Sequence, residues 1–428
     1  MVINIITLGC SKNLVDSEYL LRQLHTNGHK VLHDETKVDA DVVILNTCGF
    51  ILDAKEESIN SILHYTALKK QGRVGKVIVM GCLSERYSVE LKKEMPEVDG
   101  FFGVWDQKEI ISSIGASYFP EMGNDRIITT LPHTAFLKIS EGCNRRCAFC
   151  AIPGIRGNQR SKQIHSLLDE TKTLADRGSK EIILIAQDLT NYGIDIRGRR
   201  ELAELLKRIS AVELVEWIRM HYAFPTGFQE EVIDLMANDP KICNYLDIPI
   251  QHVNDRILSL MNRGHNRKQL EKLLNNLRKK VPGVALRTTL LVGFPGETDE
   301  EFEELYQFVE ATRFDRLGVF PYSREDDTPS AKLTDDVPQA VKEERAGRIM
   351  ELQQKISLEI NQEKIGKTFK VLVDSEESEY FIGRTEHDSP EVDNEVFIEK
   401  ISSVKPGDFA MVKITDAAEF DLTGTVVS

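Results

Sequence analysis

The 428-residue chain has no stretch approaching the roughly 18 consecutive apolar residues that a membrane-spanning helix needs, so a membrane protein is not expected. Its opening, MVINIITLGCSKN, is apolar only briefly and has no basic lead, which argues against a secretory signal. Positive charge is short: 54 Lys and Arg against 68 Asp and Glu leave a formal net charge of −14. That deficit speaks against a broad basic face wrapped on nucleic acid and suits a positively charged partner. Cysteine is scarce, seven in all and odd in number, so a disulfide framework is not expected. Metal binding in a reducing cytoplasm is the better expectation. No low-complexity tract and no solenoid repeat is present.

What remains is an ordinary globular composition, 41% hydrophobic and 29% charged, long enough for two or three domains. The first segment repeats a β-branched run followed by helical sequence: Val2–Ile6, Val42–Leu45 and Val77–Met80, with amphipathic stretches from Ser17 to Thr26 and Ala54 to Lys69. This predicts an open parallel α/β sheet over residues 1–118. Residues from about Ser117 to Pro132 read as a linker. Six further strand candidates alternate with helices, at 135–139, 181–185, 217–220, 245–248, 286–292 and 316–320. They predict a full or partial (β/α) barrel over 129–361, closed by a charged helix from Gln339 to about Gln362, with the reactive face at the carboxyl ends of its strands. From 362 to 428 the sequence breaks into short alternating strands, predicting a small antiparallel β-barrel. From Lys364 onward this unit holds seven basic and fourteen acidic residues.

The strongest chemical signal is Cys143-Asn-Arg-Arg-Cys147-Ala-Phe149-Cys150, a C-x₃-C-x₂-C loop directly after a strand. Thiolates at this spacing converge on one metal centre. A structural zinc site wants a fourth ligand, which the loop lacks. A cubane held by three cysteines leaves one iron open. Three ordinary thiols, or a zinc knuckle with a distant fourth ligand, are the alternatives. The loop resembles the signature of the radical S-adenosylmethionine (SAM) superfamily, with Phe149 at its aromatic position. The resemblance implies a [4Fe–4S] cluster whose open iron binds SAM, and cleavage of SAM to a 5′-deoxyadenosyl radical. It further implies SAM contacts at Gln187 and Asp188 after the second barrel strand, and at Gly293 and Gly296 after the fifth. Read by themselves, those two glycines are an ordinary strand-to-helix turn with Thr298 as a cap.

Cys10, Cys48 and Cys82 each fall one to three residues beyond an apolar strand. In a parallel sheet those positions share the carboxyl edge, where α/β proteins bind ligands. Taken singly, each is better explained as a buried thiol; their common register favours a second metal site. Cys243 lacks a partner in register and reads as structural. His252, a lone His, is expected to be a hydrogen-bonding structural residue, and Arg287 and Asp188 are expected to face the reactive end.

With this second set, the whole chain resembles the methylthiotransferases, which join an α/β domain with three cluster-binding cysteines, a radical SAM barrel and a TRAM β-barrel. The resemblance implies two [4Fe–4S] clusters, two SAM per turnover and an external electron donor. No catalytic residue is assigned beyond the clusters. Gly383-Arg-Thr-Glu-His-Asp-Ser-Pro-Glu-Val-Asp393 and Tyr322-Ser-Arg-Glu-Asp-Asp-Thr-Pro329 are similar to the RimO type, which modifies an aspartate β-carbon on the S-twelve protein of the small ribosomal subunit. An acidic terminal barrel fits a basic ribosomal protein and disfavours direct tRNA binding. The alternatives are the MiaB type, which modifies a tRNA adenosine, and a radical SAM enzyme of different outcome whose second cluster only transfers electrons.

Overall fold

The computed structural model describes residues 1–37, 39–400 and 404–427. Strands β1 (Val2–Thr7), β2 (Lys30–His33), β3 (Ala40–Thr47), β4 (Val74–Gly81) and β5 (Gly100–Phe101) form a parallel sheet in the order β2-β1-β3-β4-β5. The three expected strands are its centre, where Ile3, Ile5, Val43, Ile44, Val77 and Val79 are wholly or almost wholly buried. Both edge strands escaped the sequence reading, since β2 is half-exposed and β5 is only two residues long.

The second unit contains β6 (Thr134–Lys138), β7 (Ser140–Glu141), β8 (Arg160–Ser161), β9 (Glu181–Ile185), β10 (Trp217–Met220), β11 (Ile242–Asp247), β12 (Ala285–Val292) and β13 (Arg316–Pro321). Six of these form a parallel sheet, β13-β12-β11-β10-β9-β6, in which β6 and β13 do not pair with each other. It is therefore the partial form of the barrel. The antiparallel β7–β8 pair braces the base of the cysteine loop between them. The helix Gln339–Gln362 closes the unit at the expected bounds.

The first unit bridges the barrel's two open edges. Its helix Ser11–Thr26 lays Val15 and Tyr19 on Phe136 of β6 and on Ile183 and Ile185 of β9. Each such buried side chain is worth roughly 2 kcal/mol. At the opposite edge Glu325, buried in the loop after β13, accepts from Lys55 at 2.8 Å and Arg86 at 3.1 Å. The stretch expected to be a linker is more than a connector. Arg126 within it is 2% exposed and pairs with Glu18 of the first unit and Glu170 of the second.

The terminal barrel comprises β14 (Thr368–Glu376), β15 (Tyr380–Thr385), β16 (Glu395–Glu399), β17 (Phe409–Ala417) and β18 (Asp421–Val426), closed in the order β14-β15-β16-β18-β17. Strand β18 was not anticipated, and its pairing with β16 is parallel, so the barrel is not purely antiparallel. The loop between β15 and β16 reaches the amino-terminal rim of the larger barrel. Arg219 donates to the carbonyl of Glu386 at 2.7 Å, Arg316 pairs with Asp388 and Tyr245 donates to Asp393 at 2.8 Å, while Ser389 reaches further in, to His221 just past the carboxyl end of β10, at 2.8 Å.

This packing changes two expectations. Arg287 does not serve the reactive end alone: it spans Asp247 at 3.2 Å and Asp393 of the terminal barrel at 3.3 Å. Three of the terminal barrel's fourteen acidic residues are also spent internally, because Asp374, Asp388 and Asp393 pair with Arg384, Arg316 and Arg287. Glu376, Glu377 and Glu379 remain exposed at the β14–β15 turn.

Candidate metal centres

Cys10 stands before the helix Ser11–Thr26, Cys48 directly follows β3, and Cys82 opens the helix Cys82–Glu94. All three lie at the carboxyl edge of the parallel sheet, as their register predicts. Gly9, with φ of +94°, makes the approach feasible: a Cβ there would meet Cys48 Cβ at 2.8 Å and its Sγ at 3.1 Å. Ser58 fixes Cys48 by donating to its carbonyl at 2.9 Å and accepting from its N–H at 3.0 Å. Burial pushes the Cys82 thiol up to about 11 and raises that of Cys48.

The second set hangs from β7. Cys143 N–H donates to the carbonyl of Gly157 at 3.0 Å, and Cys150 N–H to that of Cys147 at 3.1 Å. Arg263 donates to Cys147 Sγ at 3.3 Å, and the Arg145 N–H to Cys143 Sγ at 3.4 Å. Burial raises Cys143 to about 11 and Cys150 to about 12. Among the described residues, no three His, Cys, Asp or Glu side chains close around a single ion. Cluster ligands stand further apart than single-ion ligands, because each thiolate serves a different iron. Three thiols with donors aimed at sulfur, and no carboxylate or imidazole completing a tetrahedron, suit an iron–sulfur cluster better than zinc.

The two sets are neighbours. Cys82 shares an apolar cluster with Ala151, the residue after Cys150, and with Ile155. A buried polar chain also joins them. Cys82 Sγ lies 3.8 Å from Asn13 Oδ1, which accepts from Arg156 at 2.5 Å. Arg156 pairs with Glu141 at 2.8 Å and Asp16 at 3.2 Å, and Lys138 joins the same two carboxylates. Lys138 and Arg156 hold the Glu141 carboxyl far below the usual carboxylate range, outweighing its burial.

The other expected residues fall as follows. Gln187 donates to Glu141 at 2.7 Å, two residues from Cys143. Asp188 is buried, with its carboxylate taken by Arg145 at 2.8 Å and the N–H of Thr190 at 2.9 Å. Phe149 packs half-buried with Ala148, Met261, Phe294 and Tyr322. Gly293 has φ of +70°, donates its N–H to Glu297 at 2.9 Å, and could not carry a Cβ without overlapping Lys342. Gly296 N–H donates to Asp336 at 2.7 Å, and Thr298 caps the following helix in a capping box with Glu301. Cys243 is buried in an apolar cluster with Trp217, Tyr245, Ala285 and Leu372. His252 is fully buried, accepting at Nδ1 from the Asn254 N–H at 3.0 Å. Arg145, Arg156 and Arg263 were missed, though Arg145 sits inside the loop motif itself.

An open parallel barrel with three cysteines on the loop after its first strand defines the radical SAM class. The Radical SAM superfamily model matches residues 137–309, with Uncharacterized protein family UPF0004 at 2–103 and a TRAM domain at 365–427. Curated relatives named ribosomal protein uS12 methylthiotransferase RimO include one from Christiangramia forsetii, 53% identical over 99% of this chain and 93% of the relative. Those from Cytophaga hutchinsonii and Parabacteroides distasonis are 52% and 48% identical, covering 99% and 100% of this chain and 98% and 99% of theirs. The chain belongs to this RimO methylthiotransferase family and is a radical SAM enzyme. In fold it is similar to the radical SAM methyltransferase TsrM from Kitasatospora setae, with a TM-score of 0.56 at 14% identity over 86% of this chain and 80% of that one.

Proposed function

We propose that this chain adds a methylthio group to the β-carbon of an aspartate in ribosomal protein uS12, using two [4Fe–4S] clusters and two SAM per turnover. The observation that supports this reading is the adjacency of two three-cysteine sets joined by Cys82, Asn13, Arg156 and Glu141. Cys143, Cys147 and Cys150 would hold one cluster, and Cys10, Cys48 and Cys82 the other. So held, the first cluster would supply, with SAM, one-electron chemistry able to remove hydrogen from an unactivated carbon, and the second would supply the sulfur.

The protein's own part is placement. Residues 1–118 carry the sulfur-bearing site, 129–361 the SAM site, and 362–428 close the amino-terminal rim. Phe149, Gln187, Asp188, Gly293 and Gly296 are assigned to the SAM side, Gln187 and Asp188 acting through Glu141 and Arg145. The buried cations Arg156 and Lys138 keep Glu141 ionised and, pairing also with Asp16, fix the two loops against each other. An external one-electron donor and a cytoplasmic setting complete the reading. Direct tRNA binding is disfavoured by the net charge of −14.

The test is anaerobic reconstitution with iron, sulfide and Mössbauer analysis of wild type and the two triple-Ala variants, followed by mass analysis of uS12. About eight irons, roughly half lost in each variant, and a gain of roughly 46 Da on uS12 are expected. An unchanged iron count after replacing Cys10, Cys48 and Cys82 would leave a single-cluster enzyme.

A further inference from the structure

Lys12 lies two residues after Cys10 and beside Asn13, yet belongs to none of the ion pairs described above. Its side chain is only 6% exposed, and its Nζ sits 3.2 Å from the centre of the Tyr222 ring. Among the described residues, no carboxylate comes within 4.0 Å of it and no hydrogen bond engages it. The carboxylates one turn along its helix and beside Tyr222 are already committed, Asp16 to Lys138 and Arg156, and Asp247 to Arg287. An ammonium stacked on an aromatic ring, with no carboxylate or hydrogen-bond partner and its Nζ not sealed off, is free to take an incoming anion.

Tyr222 is itself unusual. It lies just beyond β10, at the carboxyl end of the barrel, with φ of +64°, a conformation that a bulky side chain rarely adopts. Its N–H donates to Asp247 at 3.1 Å and its carbonyl accepts from Leu189 at 3.2 Å, so the backbone is pinned on both sides. Strain of this kind persists where the surroundings enforce it and clusters at ligand sites. Lys12 therefore comes from the unit that carries Cys10, and Tyr222 from the unit that carries Cys143, and the two meet across the junction of those units.

We propose that Lys12, held over Tyr222, binds the side-chain carboxylate of the substrate aspartate and so selects an anionic residue at the reacting position. This rests on the methylthiotransferase reading and names the recognition element within it. The reacting β-carbon is one bond from that carboxylate. Fixing the carboxylate at Lys12 therefore sets the β-carbon beside both cysteine sets, and a neutral base or amide cannot supply the missing anion.

The test uses reconstituted full-length enzyme and purified uS12, either native or with the target aspartate changed to asparagine. Lys12→Met should lower kcat/KM for native uS12 by about 10- to 100-fold, the loss of one charge-assisted contact. Iron content and the KM for SAM in 5′-deoxyadenosine formation without substrate should stay within about twofold, and Lys12→Arg should recover part of the loss. In a double-mutant cycle on uS12 affinity, the aspartate-to-asparagine change should weaken binding to wild type but hardly to Lys12→Met. Additive losses would overturn the assignment, as would a raised KM for SAM, which would make SAM the carboxylate's source. Wild type that binds uS12 but never adds the methylthio mass would instead defeat the reading of the whole enzyme.

Discussion

Arg384 of the terminal barrel donates to Glu181 of the radical SAM barrel at 2.8 Å, and both side chains are almost wholly buried. Arg219 approaches the same carboxylate at 2.7 Å. Against the penalty of burial, the two guanidiniums hold Glu181 down at about 2.

A carboxylate held low in the folded state contributes stability above its unfolded value, and that contribution is lost as pH falls through the folded one. For Glu181 the window runs from about 4.5 down to about 2, and on the order of 3 kcal/mol is at stake. Glu181→Gln leaves Arg219 without an anion and Arg384 with Asp374 alone, and should cost about 3–5 kcal/mol at pH 7. Trp217, 3% exposed and edge-on to Phe409 at 4.8 Å, provides the signal. Urea titration followed by its fluorescence checks the loss, and an unchanged midpoint would show that the pair is idle.

His252 gives a slope in a different range. Burial lowers it to about 3, so it stays neutral when folded and takes a proton on unfolding. Its contribution is present above about 6.5 and lost as pH falls toward about 3, amounting to about 2 kcal/mol by pH 5. Metal-free His252→Gln should show a flatter change in unfolding free energy between pH 7 and pH 5 than metal-free wild type. Parallel slopes in the two proteins would contradict this.

Much of this was legible because local pattern carries it. The central strands are β-branched runs, the helix Gln339–Gln362 is unbroken, and Cys143, Cys147 and Cys150 fall within eight residues. What escaped depends on partners far apart in sequence. Asp16 and Arg156 meet across 140 residues, and Glu181 and Arg384 across 203. No window of sequence shows that Arg126, set among linker-like residues, is a buried clamp, or that the acidic run ending at Asp393 turns inward.

Gly9→Ala tests the cradle of the first cysteine set. With φ of +94° and a Cβ forced to 2.8 Å from that of Cys48, the substitution should displace Cys48 while leaving the Cys143 loop untouched. Iron content after reconstitution should fall by roughly half, with 5′-deoxyadenosine formation retained to within about threefold. Full iron loading in the variant would show that the turn relaxes around the added methyl group.

Arg156→Gln tests the link between the two sets. It removes the cation shared by Asn13, Asp16 and Glu141, and methylthio product should drop at least about tenfold, more than SAM cleavage does. Equal loss of both activities, with iron content unchanged, would reduce Arg156 to a general structural role.

The β15–β16 loop, wedged among Arg219, Tyr245, Arg287 and Arg316, acts as a stopper in the floor of a vessel. That loop blocks entry from the floor and leaves the end where the cysteine sets lie as the way in. A protein substrate must present its side chain as a probe through that door and withdraw the same way. Turnover becomes a sequence of visits, and the occupant of the doorway decides when the next can begin.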